Sequence, residues 1–198
     1  MKKASINKGS REFNPLNWYN KSTNLLAAAG SVWYCSHHEN STEIAEELEF
    51  GVGFRLEAAT PDPYLMLCGM SLKSLLKAVI VVSDKQELLL SHNLIELADE
   101  AEIDLSNEEK KFMTLLGEYV VWAARYTVPQ RDVDSKADHL YELRSSIFFD
   151  KTRLSATSEV DIFVPKEIVA TEWREFKKFW NKISGVYWEK AHSAFPES

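Results

Sequence analysis

Residues 62–82, DPYLMLCGMSLKSLLKAVIVV, decide the fold. Leucine, valine and isoleucine recur around much of the helical circumference of this stretch, interrupted by Cys68, Gly69 and Ser71. A surface helix carries one apolar stripe, whereas a helix that is apolar on several sides is surrounded by other elements. The stretch therefore predicts the central helix of a helical bundle.

Helical patterns flank this stretch on both sides. Pro15 suits the first turn of a helix after Asn14, because a first-turn residue needs no backbone N–H. Ser106 and Glu109 have the spacing of a capping box, which predicts another helix start. Further starts are predicted at Ser41, at Ser91 or His92, and at Asp134 or Ser135.

The composition favours the same fold class. The chain has 198 residues but only 7 Gly and 6 Pro, which are few for the many turns of a β-sandwich or barrel. We predict one all-α domain over residues 14–198, an up-and-down bundle of six to seven helices behind a flexible polar leader at residues 1–13. Within residues 151–164, Val160, Ile162 and Val164 alternate with Asp161 and Phe163. This pattern predicts a short extended connector before an aromatic carboxy-terminal helix at residues 165–194.

The charge and cysteine content restrict the partners. With 30 acidic and 23 basic residues the net charge is −7, so any RNA or nucleotide contact is expected to be confined to a few residues. Cys35 and Cys68 lie in apolar contexts and are expected to be reduced and buried. The amino terminus lacks the apolar stretch of a signal peptide, and uninterrupted apolar runs such as residues 78–82 are far shorter than the roughly 20 residues of a spanning helix. We therefore expect a cytoplasmic protein with no membrane partner.

The aromatic seam is the most regular pattern in the chain. Its spacing of 4-3-4-3-4 predicts an amphipathic helix whose apolar face packs on the core of the domain or forms an interface with a second copy or a protein partner. The seam consists of Val169, Trp173, Phe176, Trp180, Ile183 and Tyr187. Its candidate interface residues are Trp173, Phe176, Trp180 and Tyr187.

Common catalytic signatures are missing from the sequence. His37 and His38 are adjacent, so on a helix their rings point about 100° apart and cannot face one ion together. There is no phosphate-binding glycine loop and no serine nucleophile elbow. We therefore expect no metal site and no cofactor.

Four residues are candidates for binding an anionic ligand. Lys77 lies on the largely apolar central helix, where its amine must reach water or an acceptor. His92 lies at a helix start, and Arg125 and Tyr126 lie where a helix ends before Pro129. The planar guanidinium of Arg125 matches phosphate or carboxylate, although a helix C-terminal cation paired with a glutamate is the alternative.

Three short motifs resemble the HEPN superfamily of helical bundles. GMSLKSLLKAVIV at residues 69–81 resembles the central helix of the family, and SHNLIEL at residues 91–97 resembles its H-D-L-x-x-L motif. WAARYTVP at residues 122–129 is similar to a segment of some members. The resemblance implies an α-helical bundle. It also implies a metal-independent ribonuclease of toxin–antitoxin, abortive-infection or CRISPR systems, which usually acts as a dimer.

The ribonuclease signature of the family is incomplete in this chain. The signature places four to six residues between Arg and His, whereas seven residues lie between Arg131 and His139. In addition, Lys73 stands where the family has Glu. The resemblance therefore implies a non-catalytic or degenerate module of a defence or stress system that binds a nucleotide or another small anion. The alternatives are a ribonuclease with a noncanonical site at Arg131 and His139, and a helical scaffold that acts through the aromatic seam.

Overall fold

A computed structural model describes residues 3–5, 14–83, 87–89, 91–124, 133–153, 161–166 and 171–194. The described residues form an all-α bundle, as the sequence predicts. Its helices are α1 (Pro15–His37), α2 (Ser41–Glu47), α3 (Leu56–Ala59), α4 (Pro61–Val82), α5 (Leu94–Glu100), α6 (Asn107–Glu118), α7 (Val133–Phe148) and α8 (Trp173–Ala194). Eight described helices exceed the predicted six to seven because α3, which has only four residues, was not predicted.

Helix α4 is the centre of the bundle. It packs against α1, α8, α5 and α6, and most of its residues are buried. Leu72, Leu75 and Leu76 have no exposed surface. Residues 62–82 are apolar on several sides because other helices pack against α4 on several sides.

The same helix is long and apolar enough to cross a membrane by length and composition. It is the one such helix among the described residues, and 72% of its 18-residue window is buried inside the protein. The core helix of a soluble protein passes the same test, so this finding is weak evidence for a membrane span.

The described helix starts agree with the sequence to within one or two residues, except at α8. The predicted start of this helix at residue 165 is wrong, because Pro165 ends an extended strand and α8 begins only at Trp173. Asn14 caps α1 by accepting a hydrogen bond from Leu16 N, and Ser106 with Glu109 forms the predicted capping box of α6. The cap of α5 was wrongly predicted at Ser91 or His92. Asn93 is the cap, because its side chain accepts from Ile95 N and Glu96 N.

Helix α6 continues into a π-helical turn, Tyr119–Ala123. Directly opposite, Gly69 lets α4 approach α6 closely. A Cβ at this position would lie 2.9 Å from the carbonyl oxygen of Leu116 and 2.6 Å from Cγ2 of Val120. A small residue is therefore required at this crossing.

Two short antiparallel pairs accompany the helices. Strand β1 (Lys3–Ser5) pairs with β2 (Glu87–Leu89), so this part of the predicted flexible leader is a strand. Residues 1–2 and 6–13 of the leader lie outside the described residues. Strands β3 (Phe149–Arg153) and β4 (Asp161–Pro165) form a second pair, with Lys151 opposite Phe163. The predicted extended segment before the last helix is thus a two-stranded hairpin.

Candidate anion-binding site

Two lysines lie one helical turn apart on α4. Lys73 and Lys77 share a face because residues four apart in a helix are neighbours. Lys77 is buried, with 7% of its surface exposed, and its amine lies 4.8 Å from the ring centroid of Trp18 on α1. This cation–π contact shows how a lysine is tolerated on an apolar helix.

His92 completes a cluster of three nitrogen-bearing side chains. The amine of Lys73 lies 2.8 Å from Nδ1 of His92. A protonated lysine amine can only donate, so Nδ1 accepts, and a neutral ring then carries its proton on Nε2. The cluster of Lys73, Lys77 and His92 is called the basic cluster below.

The loop before α5 is held in place by its own polar side chains. Ser91 Oγ donates to Glu96 Oε2 at 2.8 Å and accepts from Asn93 N at 3.0 Å. Asn93 caps the helix at the same point. These bonds fix the backbone on both sides of His92, so the ring is presented to α4 by a braced turn.

Burial and like charge make the basic cluster electrostatically strained. Partial burial and the nearby charge of Lys77 together lower the pKa of Lys73 to about 8, and burial is the larger cause. Both effects disfavour the protonated amine, which a bound anion would favour. The arrangement is therefore suited to an anionic group such as phosphate or carboxylate.

The structure brings together two of the four predicted ligand-binding residues. His92 contacts Lys73 and Lys77 lies one helical turn from Lys73, whereas Arg125 and Tyr126 lie outside the described residues. Sequence reasoning did not assign Lys73 and Trp18 to the site. The available signal was the spacing of four between Lys73 and Lys77, which places two cations on one face of an apolar helix.

Of the alternative catalytic pair, Arg131 and His139, only His139 is among the described residues. His139 is exposed on α7, and Arg131 lies outside the described residues. The geometry of this pair therefore stays a sequence-based hypothesis.

The aromatic seam packs on the core of the domain. Phe176, Trp180 and Tyr187 are buried, with at most 4% of the surface of each exposed. The sequence left open whether the seam packs on the core or forms an interface. In the structure these three residues pack on the core. Trp173 is half-buried at the start of α8, and Val169 lies outside the described residues.

One serine and one histidine lie close together but are not arranged for catalysis. Ser36 Oγ lies 3.0 Å from Nδ1 of His37, and the same nitrogen lies 2.9 Å from the carbonyl oxygen of Trp33. A carbonyl can only accept, so Nδ1 carries a proton and cannot act as a base toward Ser36.

Other reactive groups are similarly unsuited. Burial raises the pKa of the Cys68 thiol, which keeps it protonated and unreactive. Cys35 is half-buried, and both cysteines are free. Within the described ranges no group of three or more His, Cys, Asp and Glu could hold a metal ion.

Comparison with known proteins gives no family to place beside this geometry: no family model, no curated protein and no solved structure matches the chain.

Proposed function

We propose that the chain is a non-catalytic binding module that holds a nucleotide or another small phosphate-bearing anion at the basic cluster. The observation that carries this proposal is the contact of 2.8 Å between the Lys73 amine and His92, on a helix face that also carries Lys77. The three nitrogen-bearing side chains come from two segments of the chain.

The electrostatics of Lys73 support an anion rather than a neutral ligand. Its amine contacts a histidine and lies near the charge of a second lysine, and among the described residues it forms no ion pair with a carboxylate. Holding like charges together costs free energy that a bound anion offsets. Charge-assisted hydrogen bonds to phosphate oxygens are among the stronger polar contacts.

The basic cluster is small, which fits the composition. A chain with a net charge of −7 repels a long polyanion, whereas a single phosphate group needs only a few local cations. A nucleotide is therefore a better candidate than an extended RNA.

The biological setting is proposed from the motif resemblance alone. The segments that resemble the HEPN superfamily, residues 69–81 and 91–97, include Lys73, Lys77 and His92. A role in a bacterial defence or stress system follows if that resemblance is ancestral.

Thermal unfolding with a panel of ligands tests the proposal. ATP, AMP, pyrophosphate and inorganic phosphate are added separately to wild type and to Lys73→Met, which keeps the aliphatic stem and removes the charge. A ligand at 100 times its Kd stabilises the folded state by about 2.7 kcal/mol. For a chain of this size that corresponds to a Tm increase of roughly 5–10 °C. We expect the increase in wild type and its loss in Lys73→Met.

Lys178→Met is the matched control. Lys178 is exposed on α8 and pairs with Glu175 within its own helix at 2.7 Å, so its replacement should leave ligand stabilisation unchanged. The lowered pKa of Lys73 adds a second readout, because ligand affinity should fall as the pH rises through about 8 and the amine loses its proton. An equal Tm increase in wild type and Lys73→Met, or none with any ligand, would contradict the proposal.

A further inference from the structure

The apolar loop, residues 48–54, joins α2 to α3 and carries four large apolar side chains at the surface. Phe50 and Phe54 stack with their ring centroids 4.5 Å apart, and Val52 at the tip is 100% exposed. Leu48 is the fourth of these side chains. Such a concentration of exposed apolar side chains marks an interaction site more often than chance exposure does.

The backbone gives this loop a compact turn. Gly51 and Gly53 have φ of 87° and 85°, a region that glycine adopts without steric cost. The stacked rings and the tight turn together form a short projection. A pre-formed projection loses little conformational freedom when it binds.

Acidic side chains surround the loop. Glu43, Glu46, Glu47 and Glu49 are exposed, and within the described part of the chain none of them forms an ion pair. The nearest cation in sequence, Arg55, is already paired with Glu57 at 2.8 Å. This charge disfavours an anionic lipid surface and favours an apolar receptor that carries a cation.

An apolar groove that carries a cation lies on the same chain, between α1 and the start of α8. Its volume is about 540 Å³, and its lining includes Leu26, Ala27, Trp33, Trp173 and Lys177. Trp173 rests on Gly30, where a Cβ would come within 2.8 Å of the indole ring. This groove is called the α1–α8 groove below.

Lys177 gives the α1–α8 groove its cation. Its amine lies 4.3 Å from the ring centroid of Trp180, and among the described residues it pairs with no carboxylate. Partial burial lowers the pKa of Lys177, so a carboxylate brought into the groove would restore a favourable environment for the charged amine.

We propose that the apolar loop of one copy of the chain inserts into the α1–α8 groove of a second copy. Phe50 and Val52 enter the apolar part of the groove, and the glutamates beside the loop meet Lys177. If the two copies are related by a two-fold axis, this contact is made twice. The interface uses Trp173 from the aromatic seam and leaves Phe176, Trp180 and Tyr187 in the core.

Sedimentation velocity over a range from micromolar to submillimolar protein tests this contact. Wild type should show a concentration-dependent increase from the chain mass of 22.7 kDa toward twice that mass or more. Lys177→Glu alone, and Glu47→Lys with Glu49→Lys, should each remove the increase at low salt. All three substitutions in one chain should restore it, because the charges are exchanged but remain complementary.

Phe50→Ser with Phe54→Ser tests the apolar part of the contact and should also give a monomer. Tyr141→Ser is its matched control, since Tyr141 is a 70% exposed aromatic on α7 that belongs to neither surface. Far-UV circular dichroism checks that each variant is folded. A wild type that remains monomeric throughout would overturn the proposal, as would an association that survives the phenylalanine substitutions or is not restored in the triple variant.

Discussion

Three side chains form a polar junction inside the apolar core. Ser22 on α1 and Ser71 on α4 each donate a hydrogen bond to the backbone carbonyl of the other, at 2.8 and 2.9 Å. The indole N–H of Trp180 on α8 lies 3.1 Å from Ser22 Oγ and 3.0 Å from Ser71 Oγ. The three longest helices are thereby joined at one point, and the indole has two alternative acceptors.

This redundancy predicts strong coupling between the two serines. Ser22→Ala or Ser71→Ala alone leaves Trp180 one acceptor, so each should cost about 1 kcal/mol or less of unfolding free energy. The double variant leaves a buried N–H without a partner and should cost roughly 1–3 kcal/mol more than the sum. Urea unfolding of the four proteins measures this coupling.

The same cycle in a Trp180→Phe background is the control. Phenylalanine has no N–H, so the extra cost of the double serine variant should disappear there. Additive effects of the two serine substitutions in the wild-type background would show that the indole bond is not the source of the coupling.

Single-residue roles were predictable only where sequence neighbours determine them. The capping box of Ser106 and Glu109 is local, and it is confirmed. The junction of Ser22, Ser71 and Trp180 joins residues far apart in sequence, and its polar atoms occupy positions that the periodicity assigns to the core. The contact between Lys73 and His92 likewise depends on how α4 and the α5 loop meet, which periodicity does not specify.

At the scale of elements, the crossing of α4 and α6 depends on Gly69. Because Leu116 contributes a backbone atom to the contact, a new Cβ could be accommodated only if the helices moved apart. Gly69→Ala should therefore destabilise the fold by roughly 1–3 kcal/mol, even though alanine is the better helix former.

Gly185→Ala on α8 provides the matched comparison. A Cβ at Gly185 meets nothing within 4 Å among the described residues, so only helix propensity changes, and unfolding free energy should rise by up to about 1 kcal/mol. Thermal or urea unfolding of both variants measures the difference. A stabilised Gly69→Ala protein would mean that α4 and α6 are not fixed at their observed separation.

Elements were predicted well where an apolar or alternating pattern runs over many residues. Helix α4 begins at Pro61, one residue before the predicted stretch, and the extended segment before α8 is confirmed as β3 and β4. Strand β1 was missed because its three residues pair with β2, which lies more than eighty residues away. Pairing over such a separation leaves no local pattern.

At the scale of the whole molecule, lysines of α8 fasten this last helix to the α5–α6 region. Lys182 bonds to the carboxylate of Glu109 at 2.8 Å and to the carbonyl oxygen of Asp104 at 2.9 Å. Lys190 reaches Glu102 at 3.3 Å and Ser83 Oγ at 3.1 Å. In an acidic chain these lysines also offset local negative charge, so the closure of the bundle depends in part on ionised glutamates.

The pair of Glu109 and Lys182 predicts a pH-dependent contribution to stability. Burial alone would raise the pKa of Glu109, but the hydrogen bonds from Lys182 and Ser106 outweigh it and lower the pKa below the ordinary value of about 4.3. A carboxyl group whose pKa is lower in the folded than in the unfolded chain stabilises the fold above the unfolded value, and this contribution is lost as the pH falls through the folded value.

Glu109→Gln keeps the capping geometry, since glutamine serves at that position, and removes the charge. It should cost roughly 0.5–1 kcal/mol near neutral pH and progressively less below about pH 4, where wild type also loses the charge. Urea unfolding across this range measures the difference. In a Lys182→Met background the same substitution should have a smaller pH-dependent effect, because only the hydrogen bonds from Ser106 then oppose the effect of burial on the pKa of Glu109. If the cost were instead constant with pH, it would arise from altered packing at the α6 start, and closure of the bundle would not depend on the ionised carboxylate.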